Sequence, residues 1–148
     1  MRALVQRVTQ ASVDVDGERV GEIGPGLLVL LGVTHDDTAA EADWIAAKIR
    51  ALRAFPDAQG RMNEPLGARE VLCVSQFTLY GDVRRGNRPS YVAAAPPELA
   101  EPLYDRVCSL LGAQRGVFGA DMQVSLTNDG PVTFWLETGK APMTAGSR

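Results

Sequence analysis

The segment LLVLLGV, residues 27–33, is the longest apolar run of the chain and constrains its fold more than any other feature. It is too short to cross a membrane, because a spanning helix needs about 20 apolar residues. A strand that is apolar on both faces has to be covered on both faces. The segment therefore predicts a central strand of a sheet, with packed side chains on each side of it.

The residues before this run alternate between apolar and polar side chains. They form two segments, ALVQRV at residues 3–8 and SVDVDGERVGEI at residues 12–23. Such alternation is typical of strands with one buried face, and the dipeptide Asp16-Gly17 favours a tight hairpin turn. Gly24-Pro25-Gly26 then separates these strands from the apolar run. The first third of the chain is thus expected to consist of strands joined by short turns.

Two later segments have helical spacing. Asp36 and Asp37 can cap a helix that runs to about Leu52. The second segment is PPELAEPLYDRVCSLLG, residues 96–112, in which one stripe is formed by Leu99, Leu103, Val107 and Leu110. Pro102 lies inside it and predicts either a kink or a helix that begins near this proline.

The remaining segments complete an α+β domain. We expect an irregular loop or short hairpin at residues 55–68, a strand in EVLCVSQFTLY at 70–80, one or two strands in MQVSLTNDGPVTFWLET at 122–138, and a mobile tail at 139–148. Strands outnumber helices. The prediction is a single compact domain over residues 1–148, with a curved, mostly antiparallel, barrel-like sheet and two packing helices.

Composition narrows the functions that remain. The 148 residues carry a net charge of −3, so a nucleic-acid partner would have to be contacted locally. His35 is the one histidine, which excludes a metal centre built from several histidines, and we interpret it as a loop residue. Cys73 and Cys108 lie in apolar stretches, as buried free thiols of a reducing compartment do. We therefore expect a cytoplasmic protein with no metal, no cofactor and no membrane partner.

The stretch SQFTLYGD, residues 75–82, is the first candidate site. Where a strand gives way to a turn, its backbone N–H groups become free to bind an anion or an oxyanion. Ser75 and Thr78 are possible nucleophiles, but a hydroxyl nucleophile needs an adjacent base. No histidine, lysine or carboxylate other than Asp82 lies close by in sequence. A purely structural strand end is the alternative interpretation.

Two further stretches carry polar or charged groups in turns. In TNDGPVT, residues 127–133, the side chains of Asn128 and Thr133 flank Gly130-Pro131 and can fix the backbone there. In RRGNRPSY, residues 84–91, three arginines lie on a glycine-containing loop of an acidic protein. Arginine binds phosphate through paired donors, so this loop is either a solvated surface or a contact for phosphate. The three arginines are Arg84, Arg85 and Arg88.

Together these stretches resemble the bacterial D-aminoacyl-tRNA deacylase family over essentially the whole chain. SQFTL matches the family's SQxTL signature and NDGPVT matches its NxGPxT signature, in the family's order. The resemblance implies a homodimer with its active site at the subunit interface. It also implies that Gly130-Pro131 is joined by a cis bond and acts in the site of the partner subunit.

The resemblance further implies hydrolysis of the ester that links a D-amino acid, or glycine, to tRNA. L-aminoacyl groups would be rejected at the Gly130-Pro131 wall. The N–H groups of Phe77 and Thr78 would stabilise the oxyanion, Ser75 and Gln76 would position the substrate, and a ribose hydroxyl of the terminal adenosine would assist the attack. The arginine loop would contact tRNA phosphates. Two alternatives stay open: a small-molecule esterase with Thr78 or Ser75 as nucleophile, and a non-catalytic tRNA-binding dimer.

Overall fold

The computed structural model describes residues 1–139. Beyond Gly139, the segment predicted as a mobile tail lies outside the described residues. The described strands are β1 (Arg2–Val15), β2 (Glu18–Ile23), β3 (Gly26–Gly32), β4 (Phe55–Pro56), β5 (Met62–Glu64), β6 (Glu70–Ser75), β7 (Gln114–Arg115) and β8 (Gln123–Glu137). The described helices are α1 (Ala39–Ala51), α2 (Pro97–Leu111) and a 3₁₀ turn (Phe77–Tyr80). The α+β class is confirmed.

Strand β1 organises the main sheet. It pairs with β8 along nearly its whole length, from Arg2 to Asp14, and this occupies one of its edges. Its other edge pairs with β3 over Arg2–Val8 and with β2 over Ala11–Val15. The β1–β2 turn has positive φ at Asp16 (50°) and Gly17 (79°), as a two-residue hairpin requires, so the predicted turn is confirmed.

The main sheet is mostly antiparallel, as predicted, and also contains parallel pairs. Its three pairs with β1 are antiparallel, but β6 runs parallel to β3 and β7 runs parallel to β6. A parallel neighbour requires a crossover connection of a dozen or more residues. Helix α1 lies in the connection between β3 and β6, and α2 lies in the connection between β6 and β7.

The sheet curls into a nearly closed barrel. A Cβ atom added to Gly21 of β2 would lie 2.7 Å from the carbonyl oxygen of Arg115 in β7 and 3.1 Å from Leu72 Cδ1 in β6. The ends of the hydrogen-bonded path β2-β1-β3-β6-β7 therefore approach each other. The absence of a side chain at position 21 is what permits this approach.

Strand β3 is buried on both faces, as its sequence predicts. Leu27, Val29 and Leu31 belong to the core between the sheet and the helices. Leu28 belongs to a second cluster with Val13 and other residues of β1, β2 and β6 inside the curve of the sheet. The alternating side chains of one strand thus contribute to two cores.

The first helix begins later than predicted. Its N-cap is Thr38, whose side chain accepts a hydrogen bond from the N–H of Ala40 (3.3 Å), while the Glu41 carboxylate accepts one from the N–H of Thr38 (2.6 Å). This arrangement is a capping box. It favours Thr38 over the two aspartates as the N-cap, because the N–H groups of Thr38 and Ala40 both gain a hydrogen-bond partner. Asp37 is instead buried and pairs with the α-amino group of Met1 at 2.7 Å.

The second helix begins at Pro97 and contains Pro102 in its interior, so the expectation that it begins near Pro102 is wrong. Its buried stripe also differs from the predicted one, because Leu111 is buried while Leu110 is exposed. Cys73 and Cys108 are free and buried, as predicted. Neither helix within residues 1–139 has the length and apolar character that a membrane-spanning helix needs.

Candidate active site

The predicted strand at residues 70–80 ends at Ser75, and a 3₁₀ turn follows. Ser75 is the last residue of β6 in register with β3, and the N–H of Gln76 still donates a hydrogen bond of 2.7 Å to the carbonyl oxygen of Leu31. The chain then bends. The turn is held by the N–H of Leu79, which donates to the Gln76 carbonyl oxygen at 3.2 Å. The strand end therefore presents its next backbone groups in a fixed direction.

Two backbone N–H groups of this turn are available to a ligand. Within residues 1–139, neither the N–H of Phe77 nor that of Thr78 donates to another residue. Both residues are exposed. The first N–H groups of a helical turn have no partner inside it, so they are natural donors to an anion. The structure thus has the donor pair that an oxyanion would require.

The hydroxyl groups of the turn lack a base. The Thr78 hydroxyl accepts a hydrogen bond from the side-chain amide of Gln76. The carboxylate of Asp82 is bound instead by the Arg84 guanidinium, at 2.9 and 2.7 Å. This hydrogen bonding lowers the pKa of Asp82 to about 2, which makes its carboxylate a weak base at neutral pH. Within the described residues, no ionisable side chain bonds to Ser75 or Thr78.

The turn opens into a cavity of about 570 Å³. Ser75, Gln76 and Phe77 form one wall, and segments at the start of α2 and before β8 form the others. Phe118 and Met122 are among the apolar lining residues, and Asp121 is the carboxylate among the described lining residues. Clefts of this size and apolar character are typical of small-molecule and cofactor sites. The cavity can hold a group of about the size of an aminoacylated nucleoside.

An aromatic pair lies at the edge of this cavity. The rings of Phe77 and Tyr91 are 5.1 Å apart in an edge-to-face arrangement, and both line the cavity. Two residues after β3 hold the backbone that follows Tyr91. Thr34 Oγ1 donates to the carbonyl oxygen of Ala93 at 2.6 Å, and His35 Nε2 lies 2.8 Å from that of Val92.

Sequence reasoning missed Tyr91 and the two residues that support it. The contacts join positions 57 to 59 residues apart, which no local pattern reveals. Tyr91 is the last residue of the arginine loop, and an aromatic residue at the end of a basic run is the signal that could have identified it.

The arginine loop is closed by two backbone hydrogen bonds between Asp82 and Ser90, of 2.7 and 2.9 Å. Its three arginines are not equivalent. Arg84 is paired with Asp82, whereas Arg85 and Arg88 form no ion pair or hydrogen bond with any residue in 1–139. Two cations of the loop are therefore available to an external anion.

Gly130 and Pro131 lie at the tip of a loop that protrudes from β8. In the β1–β8 register, Gln6 pairs with Thr133 and Val8 with Asn128, so residues 129–132 stand opposite the single residue Arg7. The Gly130–Pro131 peptide bond is cis, as the resemblance implies. Both residues are exposed.

Polar side chains fix this loop at its base. The Asn128 amide donates to the carbonyl oxygens of Arg7 (2.9 Å) and Val132 (3.2 Å). The Arg7 guanidinium in turn contacts Asp129, donating to its carbonyl oxygen at 3.0 Å. Thr133 Oγ1 accepts a longer hydrogen bond from Gln6, at 3.4 Å. Among the signature residues, Asn128 thus has the central structural position.

The structure does not bring the two signatures together within one chain. Ser75 is in register with Ala3 through Leu31, and the loop leaves β8 beside Gln6, three residues further along β1. Between β6 and β8 lie three strand spacings, roughly 14 Å, and the offset adds roughly 10 Å along the strand. The cavity lining includes no residue of 125–133.

Comparison with known proteins gives a consistent result. The family model described as D-Tyr-tRNA(Tyr) deacylase matches residues 4–137. A D-aminoacyl-tRNA deacylase of Myxococcus xanthus is 54% identical over 145 residues, which is 93% of this chain and 95% of that protein. One of Opitutus terrae is 57% identical over 146 residues, with 93% and 97% covered.

Solved structures agree in fold. One described as c-Myc DNA Unwinding Element Binding Protein is 43% identical, with a TM-score of 0.89 over 95% of this chain and 100% of that one. A probable eukaryotic D-amino acid tRNA deacylase has a TM-score of 0.78 over 91% and 97%, at 17% identity, which supports the fold alone. With both signatures placed in a matching fold, the chain belongs to the D-Tyr-tRNA(Tyr) deacylase family.

Proposed function

We propose that this protein hydrolyses the ester bond of D-aminoacyl-tRNA and of glycyl-tRNA, releasing the free amino acid and tRNA. The observation that carries the proposal is the pair of unpartnered N–H groups, on Phe77 and Thr78, beside a cavity of about 570 Å³. The relatives of this chain in Myxococcus xanthus and Opitutus terrae are named for this activity. With tRNA as its substrate, the protein would act in the cytoplasm.

The two N–H groups stabilise the oxyanion that forms when water attacks the ester carbonyl. A single donor of this kind typically contributes about 2.7–4 kcal/mol to the transition state. Ser75 and Gln76 position the substrate beside them. The Gln76 amide also holds the Thr78 hydroxyl, which leaves that hydroxyl a structural part of the turn.

The substrate itself supplies the group that the protein lacks. No ionisable side chain within residues 1–139 contacts the hydroxyls of the turn, and Asp82 is held by Arg84. The neighbouring ribose hydroxyl of the terminal adenosine can orient the attacking water and pass a proton to the leaving ribose oxygen. The C–O ester bond breaks, and the amino acid leaves as a carboxylate.

Chiral selection comes from the Gly130–Pro131 loop of a second subunit. The loop protrudes, is exposed, and is too far from its own chain's cavity to act there. In a homodimer it would reach the partner's cavity, where its backbone carbonyls accept the α-hydrogen and amino group of a D-residue. The side chain of an L-residue would clash with this wall, whereas glycine would pass.

The free guanidinium groups of Arg85 and Arg88 bind tRNA phosphates. Arg84 supports the loop through Asp82 instead. A small basic loop on a chain of net charge −3 gives weak, salt-sensitive binding, and such binding suits an enzyme that samples many tRNAs.

Deacylation of D-tyrosyl-, L-tyrosyl- and glycyl-tRNA by the purified protein tests the function. Rapid loss of the D-ester and of glycine, with the L-ester spared, is the expected result. Equal hydrolysis of both enantiomers would favour a general esterase that uses Thr78 or Ser75, and such an enzyme would also cleave D-tyrosine ethyl ester. Binding of tRNA without any hydrolysis would favour a non-catalytic dimer.

A further inference from the structure

We propose that Tyr91, supported by Phe77, is a stacking platform for the base that precedes the terminal adenosine of the RNA. This inference rests on the proposed function and extends it, because it assigns to an aromatic residue of the cavity lining the binding of a second nucleotide, next to the one that reacts. Its elements are an exposed aromatic pair, a rigid backbone beneath it and two free cations beside it.

The aromatic pair is unusually exposed for its size. Phe77 is 55% exposed and Tyr91 is 42% exposed, although side chains of this kind are mostly buried in folded proteins. In their edge-to-face arrangement at 5.1 Å, the edge of one ring meets a face of the other, so this contact covers at most one ring face of the pair. An uncovered aromatic face is the surface on which an unpaired base stacks.

The position of Tyr91 is fixed from three directions. A Cβ atom on Gly81 would lie 3.1 Å from Tyr91 Cε1, so the glycine allows the ring to pack closely against the end of the 3₁₀ turn. The N–H of Ala94 donates to the carbonyl oxygen of Tyr91 at 3.0 Å. Thr34 and His35 hold the two following residues. A platform that is already ordered loses little entropy on binding.

Charge complementarity indicates a single-stranded nucleic acid as the occupant. Arg88 lies three residues before Tyr91, and Arg85 lines a surface pocket with Ser90, the residue directly before Tyr91. Cations next to an exposed aromatic side chain are the combination that binds backbone phosphate and base together. A protein partner would be an alternative occupant, but two unpaired arginines beside the rings favour a polyanion.

The order of the sites decides which nucleotide stacks there. The reacting ester must lie at the N–H groups of Phe77 and Thr78, so the terminal adenosine fills the cavity that they border. Tyr91 lines that cavity and is also the last residue of the arginine loop. The nucleotide on the 5′ side of the adenosine, a cytidine in tRNA, therefore meets Tyr91 first as the strand leaves the cavity.

The test compares Tyr91→Ala and Tyr91→Phe on D-tyrosyl-tRNA and on 3′-O-D-tyrosyl-adenosine, which lacks the preceding nucleotide. For tRNA, kcat/KM of Tyr91→Ala should fall by about 5- to 150-fold, the range for one stacked base. Tyr91→Phe should stay within about twofold, since it keeps the ring. Val92→Ala is the matched control, because Val92 is an adjacent apolar side chain that is 82% exposed.

The adenosine ester separates stacking from support of the turn. Tyr91→Ala should lose clearly less activity on this ester than on D-tyrosyl-tRNA, because the ester lacks the base that would stack on Tyr91. An equal loss on both substrates would mean that Tyr91 acts by holding Phe77, and no loss on either would mean that no base stacks there; both results overturn the inference.

A binding measurement makes the inference independent of catalysis. The probe is a short RNA ending in CCA, compared with the same RNA abasic at the penultimate position. The wild type should bind the intact RNA more tightly, and Tyr91→Ala should not distinguish the two. If the wild type binds both equally, the inference is overturned. If it distinguishes them but hydrolyses no D-tyrosyl-tRNA, the stacking site stands and the proposed function fails.

Discussion

The side-chain amide of Asn128 bridges the carbonyl oxygens of Arg7 and Val132, at 2.9 and 3.2 Å. It thereby joins the two ends of the loop to strand β1, with Gly130 and Pro131 at the tip. This side chain thus contributes to how rigidly the exposed loop is presented. In the proposed function rigidity matters, because a wall that yielded by about 1 Å would not exclude a side chain.

Asn128→Ala should therefore weaken chiral selection more than it weakens catalysis. The substitution removes two hydrogen bonds, worth about 0.5–1.5 kcal/mol each, from the base of the loop. We expect hydrolysis of L-tyrosyl-tRNA to increase about tenfold or more, while hydrolysis of the D-ester stays within a few-fold. Thr127→Ala, an exposed neighbour on the same strand, is the control. If the ratio of D- to L-tyrosyl-tRNA hydrolysis were the same in Asn128→Ala as in the wild type, the Asn128 side chain would have no role in chiral selection.

Thr78→Ala should retain near-normal turnover of D-tyrosyl-tRNA, within about fivefold. The N–H of residue 78 is still present in the variant, and the hydroxyl accepts a hydrogen bond from Gln76 with no base beside it. The measurement is the first-order rate constant of D-tyrosyl-tRNA hydrolysis under single-turnover conditions. A loss of 10³-fold or more would establish the rival model in which Thr78 is a covalent nucleophile.

The three arginines of the loop should separate by their salt dependence. Arg85→Ala and Arg88→Ala each remove a free cation, so each should lower the slope of log K against log salt by about 0.7–0.9. Arg84→Ala should change the slope less, because Asp82 already neutralises that charge. The slopes are obtained from the binding constant of deacylated tRNA, measured at a series of salt concentrations from low to moderate. Three equal slopes would show that the Asp82–Arg84 pair does not persist in the complex.

Arg2 should matter for turnover although it lies outside the cavity. Its guanidinium donates to the carbonyl oxygen of Leu79 at 2.8 Å and lies 4.3 Å from the centre of the Tyr80 ring, so it holds the end of the 3₁₀ turn. Arg2→Met should lower kcat about tenfold with little change in KM, and Arg2→Lys should recover part of it. Arg19→Met removes an exposed arginine near the other end of β1 and serves as control. If Arg19→Met lowered kcat as much as Arg2→Met does, the effect of Arg2→Met would be a general loss of stability and not a specific effect on the turn.

The sequence predicted those parts of the fold that depend on periodicity. Strand β3 was recognisable because burial on both faces leaves no polar positions. The two signatures were recognisable as short, ordered motifs. The start of α1 was not, because Asp36, Asp37 and Thr38 can all cap a helix and the choice depends on Glu41 and on the burial of Asp37.

Long-range relations were beyond the reach of sequence patterns. Nothing local indicates that β6 pairs parallel to β3, or that Thr34 and His35 hold the backbone after Tyr91. The end of β6 at Ser75 was also misjudged, since FTLY has the composition of a strand and forms a 3₁₀ turn instead. The sequence therefore indicated which residues form the turn but not the long-range contacts that position them.

The central claim is that each active site combines the turn of one subunit with the loop of the other. Mixed dimers of two variants test it. Phe77→Pro removes one oxyanion donor, and Gln76 before it has φ −135° and ψ 79°, outside the helical region that a following proline disfavours. That variant keeps an intact loop. Asn128→Ala keeps an intact turn and has the weakened loop.

The measurement is the rate of L-tyrosyl-tRNA hydrolysis per Asn128→Ala subunit, as Phe77→Pro subunits are added in excess and allowed to exchange. In the mixed dimer, the working turn faces the intact loop of the other subunit. We predict that L-hydrolysis falls toward the wild-type level while D-hydrolysis persists. The opposite result is a rate of L-tyrosyl-tRNA hydrolysis per Asn128→Ala subunit that stays constant although subunit exchange is verified. This result would contradict a site shared between two chains.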